Sequence, residues 1–342
     1  MRILVTGADG VVGREVLEQL AAHPAAPTVV PVTRTGSRPG TTAWNIGAEA
    51  PPEAVRGPWD AIVHMAACTR WTMTRAEAEA ANIAPTRAVL DLLAPGTHLV
   101  HVSTAYVGGA RTEESDAADF DGYRNGYEWS KAECERLVRA QVPNGLTIVR
   151  PPLILGRSTD GAISRFSGPY TLLQALVSGL AAVVVGSPDG YAEVAPVDQV
   201  AEAIVDAAVG AAPNDQRLEV VAAGAAALRL SEMVDIVCAE LTGWRAERGL
   251  GPIQVPPLIS TESWHRFFLP LAERHLSQVQ HEAVRLLGMF ESYTSMPAPF
   301  EPTRPVADPR AVLVQSVRWW AENKQRAASR TPTPWTMVGA SA

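Results

Sequence analysis

The sequence predicts an α/β fold, with a doubly wound parallel sheet and a smaller, mainly helical C-terminal region. Short apolar runs alternate with helical patterns through the first half of the 342-residue chain, as expected of βαβ units. These runs are continuously apolar, which is typical of a parallel sheet covered on both faces. A glycine-rich loop directly follows the first run and opens the first helical pattern.

The elements follow in order along the chain. Predicted strands cover residues 3–6, 28–33, 61–65, 98–103, 146–150 and 217–222. The spacing of Val12, Val16, Leu17 and Leu20 predicts the first helix, and further helices are predicted at 75–93, 127–141, 197–209, 231–241, 264–290 and 308–323.

The alternating rhythm is interrupted after Arg150, where Pro151-Pro152 and a Gly-, Ser- and Pro-rich stretch at 156–170 follow. We therefore expect a core over residues 1–155 and a second region over 156–330. The chain is expected to return to the core around 195–225, and residues 331–342 to form a flexible tail.

Composition excludes several classes of protein. The net charge of −7 makes a nucleic acid an unexpected partner, because phosphate binding needs a clustered basic surface. Cys68, Cys134 and Cys238 form no C-x-x-C pair, so neither a disulfide framework nor a metal site is expected. No apolar run is long enough to span a membrane and no signal-peptide pattern is seen, so a cytoplasmic protein is expected.

The loop Thr6-Gly7-Ala8-Asp9-Gly10-Val11-Val12-Gly13 has the spacing G-x-x-G-x-x-G. Glycines at these positions let the backbone approach a pyrophosphate, and the helix N-terminus adds free N–H groups. The pattern predicts a Rossmann-type dinucleotide site. The residues predicted to contact the cofactor here are Gly7, Asp9, Gly10, Val11, Val12 and Gly13.

The end of the second strand favours NADP(H) over NAD(H). An NAD enzyme usually has an acidic residue there, whereas this chain has Arg34, with Arg14 placed to help bind a 2′-phosphate. A surface role for both arginines is the alternative. Small and polar residues at later strand ends complete the predicted cofactor pocket: Asn45, Ile46, Met65, Ala66, Ala67 and Ser103.

Tyr127 and Lys131 form a Y-x-x-x-K pair, and positions i and i+4 share one face of a helix. A neighbouring ammonium is expected to lower the pKa of the tyrosine and so make it a usable proton donor or acceptor. Lys131 and Lys324 are the two lysines among 29 basic residues, which makes their retention informative. Thr104, at the end of the fourth long strand, is expected to bind a substrate carbonyl oxygen.

Together these motifs resemble the extended short-chain dehydrogenase/reductases. By that resemblance Thr104 polarises the substrate, Tyr127 transfers a proton, and Lys131 holds the ribose and tunes Tyr127. Asn82 serves a proton relay or the helix bend, and the backbone after Pro151, near Leu153 and Ile154, touches the nicotinamide. The stretch "RPPLILGRSTDGAISRF" is similar to thioester-reductase domains and fatty acyl-CoA reductases.

The second region is expected to bind the substrate in an apolar, aromatic pocket, which suits an acyl group better than a nucleotide sugar. Core packing is the alternative for any one of these aromatic residues. Arg165 is a further candidate for holding a phosphate or carboxylate, or else lies at the surface. The predicted substrate contacts are Trp71, Tyr106, Trp129, Arg157, Phe166 and Tyr170.

These observations predict an NADPH-dependent reductase of a carbonyl or acyl-thioester substrate, either free or bound to a carrier protein, acting as a monomer or homodimer. Two alternatives stay open. One is a nucleotide-sugar epimerase or dehydratase that keeps NAD bound, and the other is a non-catalytic NADP-sensing binding protein.

Overall fold

A computed structural model describes residues 1–108, 119–270, 281, 284, 288, 290 and 292–332. Two compact units emerge from it. The first comprises residues Met1–Pro152, Val197–Ala222 and Pro302–Pro305, and the second comprises Leu153–Pro196, Ala223–Glu301 and Val306–Ala342. Residues 333–342 of the predicted tail, and much of the predicted helix 264–290, lie outside the described residues.

The strands fall in both units. They are β1 (Arg2–Thr6), β2 (Thr28–Thr33), β3 (Thr42–Ala43), β4 (Ala61–His64), β5 (His98–Val102), β6 (Leu146–Arg150), β7 (Leu153–Leu155), β8 (Val184–Val185), β9 (Tyr191–Ala192), β10 (Val194–Pro196), β11 (Gln216–Ala222), β12 (Leu228–Arg229), β13 (Leu258–Ile259) and β14 (Arg304–Pro305).

The helices are α1 (Val11–Ala22), α2 (Arg75–Ala78), α3 (Ala84–Leu90), α4 (Gly126–Gln141), α5 (Tyr170–Ser178), α6 (Val197–Val209), α7 (Leu230–Ala246), α8 (Thr261–Ser263), α9 (Pro309–Asn323) and α10 (Gln325–Ala328). Two π-helical turns, Glu79–Ile83 and Trp264–Phe268, adjoin α3 and α8.

The first unit is built on an eight-stranded parallel sheet with the order β14-β11-β6-β5-β4-β1-β2-β3. Helices α1 and α6 pack against each other, as do α3 and α4. The central strands β4, β5 and β6 are buried at every residue, which agrees with their mainly apolar sequences, although His64, His98, His101, Thr147 and Arg150 are buried on them as well. The predicted fold class is confirmed.

In the sheet, β1 lies between β2 and β4, so the strand order reverses at β1. In open α/β sheets, ligands bind outside the carboxyl ends of the strands where the strand order reverses. The glycine loop follows β1 at that point, so the fold brings it to the expected ligand edge.

The second unit combines short strand pairs with helices. Strands β7 and β10 are parallel, β9 and β12 are antiparallel, and β8 and β13 are parallel. Helix α7 packs along α9, and α10 packs against α5. The predicted boundaries at 231–241 and 308–323 agree with α7 and α9 to within a few residues.

Candidate active site

The glycine loop has a geometry that excludes side chains. Gly7 has a φ of +73°, and a Cβ there would lie 2.7 Å from the Ala66 nitrogen. A Cβ on Gly13 would lie 2.2 Å from the Gly7 carbonyl oxygen. Helix α1 begins directly after Gly10 and has no acidic residue in its first turn. The loop therefore leaves a cradle beside a positive helix end, which fits the pyrophosphate of a dinucleotide.

Three arginines follow the glycine loop along the chain, namely Arg14, Arg34 and Arg38. Arg38 is bound to the loop, because its Nε lies 3.4 Å from an Asp9 carboxylate oxygen and its Nη2 donates to the Ala8 carbonyl. Arg14 and Arg34 are exposed and make no ion pair within the described part of the chain. Their guanidinium groups are therefore available to an anionic ligand.

A series of hydrogen bonds connects the start of the glycine loop, through His64, to Thr86 on α3. The Thr6 hydroxyl accepts from the Met65 and Ala66 amides and lies 2.8 Å from His64 Nδ1. His64 Nε2 lies 3.2 Å from the Thr86 hydroxyl. Because Thr86 donates its own proton elsewhere, His64 Nε2 is the donor here, and in the neutral ring Nδ1 then accepts from the Thr6 hydroxyl. Burial and the Lys131 charge lower the pKa of His64 to about 3, which agrees with that assignment.

Asn82 lies in the π-helical turn Glu79–Ile83 and is fully buried. Its Oδ1 accepts from the Cys68 amide, while its Nδ2 donates to the Cys68 carbonyl and to the Ser130 hydroxyl at 2.7 Å. Both amide protons are thus used to join the loop after β4 to α4. This arrangement supports the helix-bend role rather than a proton relay.

Helix α4 presents the Tyr–Lys pair. The Asn125 side chain caps it by accepting from the Glu128 amide, and Gly126 follows because a Cβ there would lie 2.3 Å from the Met73 carbonyl oxygen. Tyr127 and Lys131 lie one turn apart near the capped end. The cap and the close packing at the N-terminus of α4 therefore fix the backbone positions of Tyr127 and Lys131.

The Thr104 hydroxyl is the third of the predicted catalytic groups, after Tyr127 and Lys131. It is buried, donates to the Pro151 carbonyl at 3.4 Å and accepts from the Tyr106 amide. It also hydrogen-bonds the Tyr127 side chain. The structure thus brings two of the predicted catalytic residues, Thr104 and Tyr127, into direct contact.

The expected direction of the Tyr127 pKa shift is wrong. Burial is the largest effect and raises the pKa, the Glu128 carboxylate adds to it, and the Thr104 hydrogen bond only partly opposes them. Lys131 does not offset this, because its Nζ donates to the Val102 carbonyl at 2.5 Å. Burial also lowers the pKa of Lys131 itself. The Tyr127 phenol is therefore protonated at neutral pH, as a proton donor must be.

The family-like Arg150-Pro151 dipeptide carries a buried ion pair that sequence reasoning missed. Arg150 donates through Nε and Nη2 to the two carboxylate oxygens of Glu135, at 2.9 and 2.6 Å. Glu135 lies on α4, 15 positions before Arg150 on β6, so no local spacing in the sequence marks the pair. The pair joins α4 to the end of β6, and so fixes the chain just before Pro151.

Two predicted substrate residues pack inside the first unit instead. Trp129 is 2% exposed, stacks edge-on with Phe120 and lies beneath the Arg75 guanidinium. Two positions beyond Tyr127, it faces the opposite side of α4, which is why it joins the core. Tyr106 is also buried, with Arg124 over its ring. Trp71 is half-buried in the turn before α2.

The remaining predicted residues lie in the second unit. Leu153 and Ile154 form β7. The rings of Phe166 and Tyr170 pack edge to face at 5.1 Å, and the Tyr170 hydroxyl accepts from the Gly156 amide. Burial raises the pKa of Tyr170 to about 12. Arg157 is half-buried in the turn after β7, where its amide donates to the Ala162 carbonyl.

The second unit also encloses an apolar cavity of about 90 Å³. Its lining comes from α5, α7 and α9 and is almost wholly aliphatic, including Leu173, Val234 and Val317. Tyr170 and Ser316 supply its few polar atoms. In the part of the chain that the structure describes, no helix is long and apolar enough to cross a bilayer, and no cluster of His, Cys, Asp or Glu is arranged to hold a metal.

The parallel sheet and the glycine cradle have the form of a Rossmann-like α/β fold, and the predicted residues Thr104, Tyr127 and Lys131 lie in the same unit. Residues 53–204 match the model of an NAD-binding family described as "Male sterility protein". The match runs from just before β4 into α6, and so includes Asn82, Thr104, Tyr127 and Lys131 but not the glycine loop. A search of curated proteins finds no match.

Solved structures agree in fold. The terminal R domain of the myxalamid PKS-NRPS pathway is 19% identical with a TM-score of 0.70, and the alignment covers 97% of this chain and 92% of that one. A thiolation-reductase di-domain from an archaeal non-ribosomal peptide synthetase is 15% identical with a TM-score of 0.64, covering 95% and 76%. A UDP-glucose-4-epimerase from Stenotrophomonas maltophila with bound NAD is 17% identical with a TM-score of 0.60, covering 96% and 99%.

These comparisons confirm the resemblance read from the motifs. The predicted class, an NAD(P)-dependent oxidoreductase, agrees with the matched family and with the reductase domains among the similar structures. At these identities the structures themselves bear on the fold, and they include epimerases as well as reductases.

Proposed function

We propose that the protein is an NADPH-dependent reductase of an acyl thioester or a related carbonyl compound. The observation that carries this proposal is the contact of the Thr104 and Tyr127 hydroxyls beside a buried lysine. Two neutral hydroxyls meeting at one point offer a carbonyl oxygen two hydrogen bonds, which stabilise the negative charge that develops on it.

The residues would act as follows. A bound NADPH supplies hydride to the carbonyl carbon. Thr104 and Tyr127 hold the carbonyl oxygen, and Tyr127 donates its phenolic proton as the oxygen gains charge. With a thioester, the product is a hemithioacetal, whose carbon–sulfur bond then breaks to release a thiol and an aldehyde. By the family resemblance, Lys131 would hold the ribose of the cofactor.

The decisive experiment measures thiol released per NADPH consumed over a panel of acyl thioesters. Thiol release coupled to NADPH loss supports a thioester reductase, and a ratio of one or two NADPH per thiol separates aldehyde from alcohol products. NADPH consumed only with free aldehydes or ketones would restrict the activity to carbonyl reduction. Tightly bound NAD without net NADPH consumption would favour the epimerase or dehydratase alternative instead.

NADPH is preferred over NADH in this proposal because Arg34 and Arg14 are exposed and make no ion pair in the described part of the chain. We expect Arg34→Gln to reduce the ratio of kcat/KM for NADPH over NADH about fivefold, the scale of one exposed charge contact. Arg56→Gln is the matched control, since Arg56 is exposed and pairs only locally with Glu53. An unchanged ratio for Arg34→Gln would contradict the assignment.

A further inference from the structure

The apolar cavity of about 90 Å³ is lined only by residues of the second unit, within the described part of the chain. Aliphatic side chains from α5, α7 and α9 form most of its wall, among them Leu173, Val237 and Leu313, and all three are buried. Phe290 adds a buried aromatic ring. The described lining contains no charged side chain. We name this space the aliphatic cavity.

The few polar groups of the lining already have hydrogen-bond partners. The Tyr170 and Ser316 hydroxyls both accept from the Gly156 amide, at 2.9 and 3.0 Å, and they also hydrogen-bond each other. The Thr294 hydroxyl donates to the Phe290 carbonyl at 3.1 Å. A buried water needs about two to four polar partners, so these committed hydroxyls hold water poorly. The aliphatic cavity therefore favours an uncharged apolar occupant over water.

The size of the cavity limits the occupant further. An engineered cavity of roughly 150 Å³ lined by Leu, Ile and Phe stays dry and binds benzene or xenon. At about 90 Å³, the aliphatic cavity suits a compact group of no more than about six carbons. Met233 is part of the wall, and the flexible, polarizable thioether of methionine adapts to the shape of an occupant.

We propose that the aliphatic cavity is a binding site for a compact, uncharged hydrocarbon group. Such a group would gain van der Waals contacts with side chains from three helices. Because the unfolded chain offers no such enclosed space, the occupant would bind only the folded chain and would stabilise it. The site uses none of the residues proposed for hydride and proton transfer, so the assignment stands independently of the reductase activity.

The direct test is an NMR titration of the full chain, ¹³C-labelled at its valine methyl groups, with benzene and with phenol. Phenol adds one hydroxyl to the same ring, and that hydroxyl would meet groups that are already hydrogen-bonded. We therefore expect benzene to bind at least about tenfold more tightly than phenol. The methyl signals that shift should include those of Val234 and Val317, which line the cavity. Benzene should also raise the urea midpoint of unfolding.

Val234→Leu and Val255→Leu form a matched pair of variants. Both add one methylene within the second unit, but Val234 lines the cavity, whereas Val255 is 50% exposed and lies outside the described lining. Val234→Leu should weaken benzene binding at least about fourfold, because the added methylene occupies part of the space. Val255→Leu should bind benzene as the wild type does.

Three results would overturn the proposal. The first is equal affinity of the wild-type protein for benzene and phenol. The second is a saturating concentration of benzene that leaves the Val234 and Val317 signals unmoved, including the case in which only valines of the first unit respond. The third is an equal loss of benzene affinity in Val234→Leu and Val255→Leu.

Discussion

The surroundings of the glycine loop in the first unit and of the cavity in the second unit differ in how they hold polar groups. In the first unit, polar side chains near the glycine loop and α4 are buried and held by directed hydrogen bonds, as in the chain from Thr6 through His64 to Thr86. In the second unit, the described interior includes a nearly apolar cavity, and cations such as Arg165 and Lys324 lie on an open groove. The first arrangement fixes reacting groups in advance, whereas the second offers space and charge to ligands of varied shape.

The largest expected effect is a loss of turnover when Tyr127, the proposed proton donor of the first unit, is replaced. Tyr127→Phe removes the proton donor and one hydrogen bond to the carbonyl oxygen, so kcat should fall about 10²- to 10⁴-fold. NADPH affinity, measured by fluorescence titration, should stay unchanged. Tyr123→Phe is the control, because the Tyr123 hydroxyl contacts Arg136 and lies away from Thr104. Near-normal turnover by Tyr127→Phe would remove Tyr127 from the mechanism.

The next effect concerns the rigidity of the cofactor cradle. Gly13→Ala would place a Cβ 2.2 Å from the Gly7 carbonyl, so the loop must shift. We expect the Kd for NADPH to rise at least about tenfold, or about 1.4 kcal/mol. Gly122→Ala introduces the same methyl where nothing lies within 4 Å, and should bind NADPH normally. Circular dichroism of both variants separates a local shift of the loop from global unfolding.

Buried histidines make the first unit sensitive to acid. Burial lowers the pKa of His64 to about 3, that of His98 to about 4, and that of His101 well below its usual value. Between pH 6.5 and about 4 the unfolded chain therefore binds protons that the folded chain does not, and stability falls as pH falls. Each histidine should cost about 1.4 kcal/mol per pH unit in this window.

Urea unfolding at pH 7.5 and pH 5.5 measures this loss. His98→Gln should flatten the pH dependence by removing one of the three groups, whereas exposed His265→Gln should leave it unchanged. Equal stability at the two pH values would show that these rings are charged in the folded protein, contrary to their burial.

The smallest expected effect is a change in the free energy of unfolding that compares the core packing of the two units. Val234 lines the cavity of the second unit, so Val234→Leu adds a methylene to empty space and should raise the free energy of unfolding by about 0.8 kcal/mol. Val138→Leu adds the same methylene to a fully buried position on α4 and should cost about 1–3 kcal/mol. Chemical denaturation compares them. A similar change of either sign in both variants would mean that the two interiors are packed alike.

Much of the first unit could be predicted from the sequence because local patterns determine it. The strands at 28–33 and 146–150 and the helix at 197–209 agree with the structure at both ends. The glycine loop could be recognised from its spacing alone, because a Cβ at Gly7 or Gly13 would clash with the backbone. The assignment of these residues to the cofactor stays a prediction.

Features set by distant contacts could not be read in the same way. The π-helical turn at Asn82 depends on a hydrogen bond to Ser130, 48 positions away. Trp129 is buried against Phe120 and Arg75, and the rise in the Tyr127 pKa follows mainly from the burial of its phenol. A surface groove of the second unit is lined by Arg165 and Lys324, which are 159 positions apart, and no local motif marks it.

The Glu135–Arg150 pair also constrains how this sequence can change over time. A bidentate buried pair costs about 3–5 kcal/mol when one partner is lost, because the other charge is left without compensation. Replacing both partners with apolar residues of similar volume is often neutral. Changing both positions together should therefore cost less stability than changing either one alone. Any lineage that abandons one charge must pass through a destabilised intermediate before it can abandon the other.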